Sequence, residues 1–375
     1  MKGIVFRCAA AAVLVCTVSA QSRSNAGWEI ALPGYRITLP RDDYPHYKFR
    51  TEWWYFTGNL RTADGRAFGY QLTFFRHGYR PPGSEPAARS RFVMNDVKFA
   101  HFAVTDVGAN TFHFDSRVSR GAYGEAGFGE ATKLAWIDDW ELDLTNEYHL
   151  KAANTECAID LHLAPEKPPV LEGENGFSQK ADGVGHASYY YSITRLATTG
   201  TIKVGAEVYR VNGTYWYDRE WATNQLAPGQ VGWNWFAIQL SDGSDLMLYR
   251  MRLKNGGTDP HSNGKWIQKD GTSVDLGAND FQMGAVSTWV SPVSHAVYPV
   301  CWRLTIPKLD LNLELAPAIE NQELNVAVVY WEGAIRIKGS RAGMPVDGVG
   351  YMELTGYEGE APGLGGEKPE VSSKQ

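Results

Sequence analysis

Residues 51–76 read TEWWYFTGNLRTADGRAFGYQLTFFR. Two aromatic-rich runs, Thr51–Asn59 and Ala67–Arg76, flank Thr62-Ala63-Asp64-Gly65. Aromatic and β-branched side chains suit a pleated, half-buried surface, and Asp-Gly supplies the backbone freedom of a tight turn, so the stretch predicts an antiparallel β-hairpin. The plan returns at 235–252, WFAIQLSDGSDLMLYRMR, where Trp235–Leu240 and Asp245–Leu253 flank Ser241-Asp242-Gly243. A second echo links VNGTYWYDREW at 211–221 with VDGVGYMELTGY at 346–357. Each follows a long strand-rich stretch, and each sets an aromatic one or two residues before an acid. A hairpin near the start and a related strand at the end of each half predict an all-β chain of two consecutive antiparallel barrels.

The boundary falls near residues 222–232, in the connecting run Ala222-Thr223-Asn224-Gln225-Leu226-Ala227-Pro228-Gly229. This gives domains over 28–225 and 226–358, either long enough to bury its own core. Aromatics at 13% and 39 glycines agree with strands and turns. No amphipathic helix longer than about three turns is legible. Residues 359–375, rich in Gly, Pro, Glu and Ser, read as a disordered tail.

At the other end, Lys2 and Arg7 precede an apolar run from Cys8 to Val18, and Val18-Ser19-Ala20 offers small residues for cleavage. Residues 1–20 therefore read as a secretory signal peptide, too short for a stable membrane span, and the mature chain is expected in the periplasm or outside the cell. Cys16 raises a lipoprotein alternative, but Val15 is bulky for the preceding position. Setting Lys2 and Arg7 aside, the 36 basic residues become 34 against 42 acidic ones, a net charge near −8. That sign, with no basic block, argues against nucleic acid. No further run is long and apolar enough for a transmembrane helix. Two cysteines remain, Cys157 and Cys301, either paired across the halves or buried as free thiols.

Nucleophile elbow, zinc-protease, P-loop and dinucleotide motifs are absent, and the nine histidines show no metal-ligand spacing, so no metal is expected. What remains is acids among aromatics. In an extended strand alternate residues share a face, which puts Trp216, Asp218 and Glu220 together, opposite Tyr215, Tyr217, Arg219 and Trp221. Glu52 likewise joins Trp54 and Phe56, opposite Trp53 and Tyr55; Tyr189, Tyr191 and Ile193 align in a third run. An acid beside Trp in a barrel lumen would be partly desolvated, which raises its pKa and keeps a proton available near neutrality, and aromatic faces stabilise a developing cation. The competing reading makes Asp218-Arg219-Glu220 a solvated strand end, Glu52 a binder of backbone amides and the aromatic stripes plain core. His46, His77, His101 and His186 read as packing or surface residues.

Several runs together resemble a family: Arg50–Leu60 (RTEWWYFTGNL), Ala100–Asp106 (AHFAVTD), Tyr217–Trp221 (YDREW), Gly232–Phe236 (GWNWF) and Tyr351–Tyr357 (YMELTGY), with Arg120-Gly121-Ala122 and Tyr190-Tyr191-Ser192. It is the family of carotenoid 1,2-hydratases, kievitone hydratase and AttH-type predicted secreted hydrolases, and the resemblance covers about residues 33–358. It implies two lipocalin-like domains and a hydratase or lyase that uses no cofactor. In such enzymes an isolated alkene is protonated and water captures the cation. Asp218 matches the family's proton donor and Trp216 a neighbouring aromatic position; the upstream His and Trp have only His186-Ala187-Ser188-Tyr189-Tyr190-Tyr191 in their place. The expectation is an exported enzyme acting on an apolar, terpenoid or lipid-like molecule. Asp218 would be the general acid, Glu220 or Glu52 would position water or tune it, and Trp53, Trp54, Tyr191, Trp216 and Trp221 would line the cavity. The alternatives are a non-catalytic carrier of an apolar ligand, partnered with an export ABC transporter, and an interaction protein whose barrels are filled by their own side chains.

Overall fold

The computed structural model describes residues 24–25, 27–84, 93–224 and 226–358, so the expected leader and tail lie outside the described residues. Among these residues there is no α-helix; two single-turn 3-10 segments, Arg41–Asp43 and Pro307–Leu309, interrupt an otherwise all-β chain.

Two large antiparallel sheets carry the fold. The first runs, neighbour to neighbour, through Thr111–Ser119, Asp96–Asp106, Ala67–Gly78, Thr51–Arg61, Glu207–Ala222, Ala187–Val204, Cys157–Pro165, Tyr148–Ala153, Trp140–Leu144, Lys133–Ile137 and Ala126–Phe128. It curls until its ends meet: Arg117 donates to the Ile137 carbonyl (3.0 Å) and Phe102 packs edge-on against Trp140. The second runs through Ser273–Gly277, Asn263–Ile267, Asp245–Leu253, Gln230–Leu240, Met344–Thr355, Val329–Arg341, Leu311–Pro317, Val297–Ile306 and Gln282–Val290. Lys308 spans its seam, donating to the Asp275 carbonyl (3.0 Å) and pairing with Asp280 (3.0 Å). These are two barrel-like domains of one plan.

The hairpins legible in the sequence are central to both. Thr51–Arg61 pairs with Ala67–Gly78 and Gln230–Leu240 with Asp245–Leu253. The turns carry Gly65 and Gly243 at φ 91° and 89°, a left-handed conformation that favours glycine. The closing strands repeat as well. Asp218 lies opposite Tyr55 on one side and Ser192 on the other; Glu353 lies opposite Trp235 and Glu332 in the same two relations.

Strand alternation decides what each barrel buries. Trp54, Phe56, Tyr191, Tyr217 and Trp221 project into the first barrel's core, while Phe236, Trp266, Trp302 and Trp331 fill the second. Burying a side chain such as Phe56 contributes roughly 1.5–3 kcal/mol. The opposite faces of the central strands meet between the barrels in a third cluster that includes Tyr55, Tyr190, Trp216, Trp235 and Tyr249. Polar ties lock this contact: Asn59 to the Gly350 carbonyl (3.0 Å), Thr105 to Gln322 (2.8 Å), and Asp245, buried, to Lys167 (2.6 Å) and Arg195 (2.8 Å). At Gly69 a Cβ would lie 2.6 Å from that of Ala334, so the barrels approach here as only glycine allows. Cys157 and Cys301 are both free; Cys157 is buried in the first core and Cys301 packs against the second.

Candidate active site

Between the barrels lies a chamber of about 590 Å³. Its floor is one face of the first sheet, laid out in cross-strand rows. One row runs Asp218, Tyr55, Thr73, His101, Ser116 across five adjacent strands; the next runs Glu220, Trp53, Phe75, Phe99, Val118. Its roof comes from the second barrel, chiefly Trp233, Trp235, Tyr249, Met251, Tyr330 and Glu353. The expected barrel-lumen site is thus displaced. Both lumens hold packed hydrophobic clusters, and the cavity lies outside them, where two outer sheet faces diverge.

Asp218 is 3% exposed. Its Oδ1 accepts from Ser192 Oγ (2.6 Å) and Trp216 Nε1 (2.6 Å), and its Oδ2 takes a short hydrogen bond from the Tyr190 hydroxyl. Trp235 Nε1, from the other barrel, donates to the same hydroxyl (3.1 Å). Burial pushes the Asp218 carboxyl up to about 7, against the three hydrogen bonds, which favour the carboxylate. Glu353 faces it from the roof and is also pushed up to about 7, by burial first, with Asp218 and Glu220 adding repulsion and a Trp233 hydrogen bond opposing. Burial raises Glu172 to about 8 and holds Glu332 well above the carboxyl range; Tyr55 donates to Glu332 (2.6 Å). Glu220 differs, forming an ion pair with Lys180 (3.3 Å).

The structure divides the residues expected from the sequence. Asp218, Glu220 and Trp53 line the chamber, and Trp216 supports Asp218 from beside it. Glu52, Trp54, Tyr191 and Trp221 are on the opposite sheet face, inside the first barrel, and do not reach it. Glu52 is fully buried between Arg76 and Arg219 and accepts from the His46 backbone (2.9 Å), an arrangement that pins the 44–50 segment and holds its carboxyl well below the usual range despite burial. Tyr191 reaches Asp43 in the core, and Trp54 donates to the Asp43 carbonyl (2.7 Å). The reason is parity: neighbouring residues on a strand face opposite ways, so Tyr190, not Tyr191, enters the chamber.

Sequence reasoning missed Tyr190, Glu353, Tyr330 and His101 as chamber residues. The second echo contained the signal for Glu353, since it places that acid at the position Asp218 holds in the first barrel. His101 and His77, read as packing or surface residues, both line the chamber. One set of groups able to hold a metal occurs among the described residues, His149, Asp160 and His162. Strand register sets His149 opposite His162, which sequence spacing does not display, and none of the three lines the chamber.

The AttH-like family profile matches residues 30–357. A crystal structure of a protein assigned as AttH from Nitrosomonas europaea is 34% identical, covering 87% of this chain and 98% of that one with a TM-score of 0.78. Kievitone hydratase from Nectria haematococca shares the fold at 15% identity, over 85% of this chain and 93% of that one, with a TM-score of 0.67. In sequence, kievitone hydratase from Fusarium solani subsp. phaseoli is 24% identical over 142 residues, 37% of this chain and 39% of that protein, so the alignment spans well under half of that relative.

Proposed function

This chain belongs to the AttH-like family, and from that premise we propose that it is an exported hydratase that adds water across an isolated alkene of an apolar, terpenoid or lipid-like substrate. One observation carries the reading: a buried carboxyl, Asp218, pushed up to about 7 at the wall of a largely apolar chamber. A carboxyl that keeps its proton near neutrality can deliver it to a carbon centre.

The hydrogen bonds assign the proton. Oδ1 already accepts from Ser192 and from Trp216 Nε1, an obligate donor, so the acid proton sits on Oδ2 beside Tyr190. In the proposed step that proton passes to the less substituted alkene carbon, the π pair forms the new C–H bond, and a tertiary cation is left. Trp53, Trp233 and Trp235 present aromatic surface to it. Water then forms the C–O bond and loses a proton to Glu353. Asp218 and Glu353 each disfavour ionisation of the other, so one can stay protonated while its neighbour is ionised, and the pair resets by moving a proton between them. Glu353 suits the base role better than Glu220, which is held by Lys180; Glu52 is enclosed in the first barrel and takes no part.

The test is turnover of trisubstituted-alkene terpenoids in 18O-labelled water. The expected result is a tertiary alcohol carrying the label from the wild type and none from a folded Asp218→Asn variant. Tight stoichiometric binding without label incorporation would replace the hydratase with a carrier, which the same chamber could serve.

A further inference from the structure

The floor row that begins at Asp218 carries, farther along, a buried imidazole that the hydration chemistry leaves unused. His101 is three strands away, roughly 14 Å at ordinary strand spacing. Its Nδ1 lies 2.7 Å from the hydroxyl of Tyr330, which the second barrel extends into this corner. The same hydroxyl accepts from Gln71 Nε2 (3.1 Å), whose other bond goes to Thr73 Oγ1 (3.0 Å).

These contacts fix a hydrogen-bond polarity. Gln71 donates to the Tyr330 oxygen, and His101 Nδ1 is the acceptor within reach of the buried phenolic proton, so we assign that proton to it. Burial keeps the imidazole neutral, lowering it to about 4, so a ring that accepts at Nδ1 carries its proton at Nε2. Gln71 is fully buried on the chamber wall and its Oε1 has no partner. A buried acceptor left unpaired is costly, and native proteins seldom leave one so. The corner therefore presents one N–H donor and one unpaired carbonyl acceptor beside Phe75 and Phe99, which stack at 4.6 Å. A hydroxyl satisfies both, accepting from His101 and donating to Gln71. A ketone or an ether would leave Gln71 unpaired, and a carboxylate would meet its oxygen.

We propose that His101, Gln71 and Tyr330 form a hydroxyl-binding station, and that the substrate is an elongated apolar molecule with its alkene at Asp218 and an alcohol or phenol held here. The proposal rests on the reading of the chamber as an apolar substrate site and adds to it the class of the substrate's far end.

The test uses the tryptophans of the chamber as reporters. Quenching of intrinsic fluorescence is titrated with farnesol, a linear isoprenoid alcohol, and with farnesyl methyl ether, which lacks the donor. The wild type is expected to bind the alcohol about tenfold more tightly, the size of one well-made buried hydrogen bond. Gln71→Met removes the acceptor that only the alcohol uses and should bring that ratio close to one with the ether still bound, which also shows that the variant is folded; His101→Phe removes the donor that both probes use and should weaken both. Equal affinity of the wild type for both probes, a preference that survives Gln71→Met, or binding of both probes unchanged in His101→Phe overturns the station and leaves the apolar chamber standing. Binding of neither probe overturns the chamber reading and the station with it.

Discussion

Replacing Asp218 with Asn turns the raised carboxyl into a measurable change in stability. The amide approximates the protonated acid: its oxygen can accept from Ser192 and Trp216, while its nitrogen, a donor only, requires the Tyr190 hydroxyl, which donates to Oδ2 in the wild type, to accept instead. In the folded wild type burial pushes the carboxyl up to about 7 from its ordinary 3.8. A group whose folded pKa is raised contributes stability that is complete below the unfolded value and lost as pH rises through the folded one. Relative to Asp218→Asn, the wild type should lose about 1.4 kcal/mol per pH unit from near 4 to near 7, about 4 kcal/mol in all, and then run parallel. Urea unfolding of both proteins at half-unit steps from pH 4 to pH 8.5 measures the difference directly. The variant is expected to be the more stable protein at neutral and alkaline pH and close to the wild type at pH 4, while its hydration activity is gone. Curves that stay parallel across the whole range would refute the claim that Asp218 holds its proton to neutrality.

Three further outcomes are expected. Glu52→Gln leaves Arg76 and Arg219 buried without their carboxylate, and should cost about 3–5 kcal/mol in urea unfolding with farnesol affinity unchanged. Gly69→Val forces side-chain atoms against Ala334 at the barrel contact; a loss of about 1–3 kcal/mol is expected, with a change in Trp fluorescence as the chamber walls separate. Burial pushes the Cys157 thiol up to about 12, so under native conditions it should resist a thiol reagent that reacts fully in urea, and the non-reduced protein should show no intramolecular disulfide.

The unevenness of what the sequence disclosed has a physical origin. The hairpin at 51–76 and its echo at 235–252 were legible because turn chemistry and strand pattern are local. The pairing of Trp216 with Asp218 and Glu220 was legible for the same reason, since a period of two needs only the strand itself. Which of the two faces meets the partner barrel is not local. Trp54, Tyr191 and Trp221 have the composition of cavity walls, yet they fill the first core, while Trp53, Tyr190 and Trp216 turn toward the junction. Both faces of these central strands are aromatic and buried, so the contrast that normally tells inside from outside is missing.

By itself, then, the sequence determined an all-β chain of two related barrels, the strand carrying Asp218 and the face Asp218 shares with Glu220, because hydrophobic period and turn geometry are properties of consecutive residues. Only the tertiary structure decided that the cavity lies between the barrels, that Glu353 opposes Asp218 from the second one, and that Glu52 belongs to an interior ion cluster. It alone brought Gln71 and His101 to Tyr330. Those relations join residues 229 and 259 positions apart, and the packing of one curved sheet against another sets them.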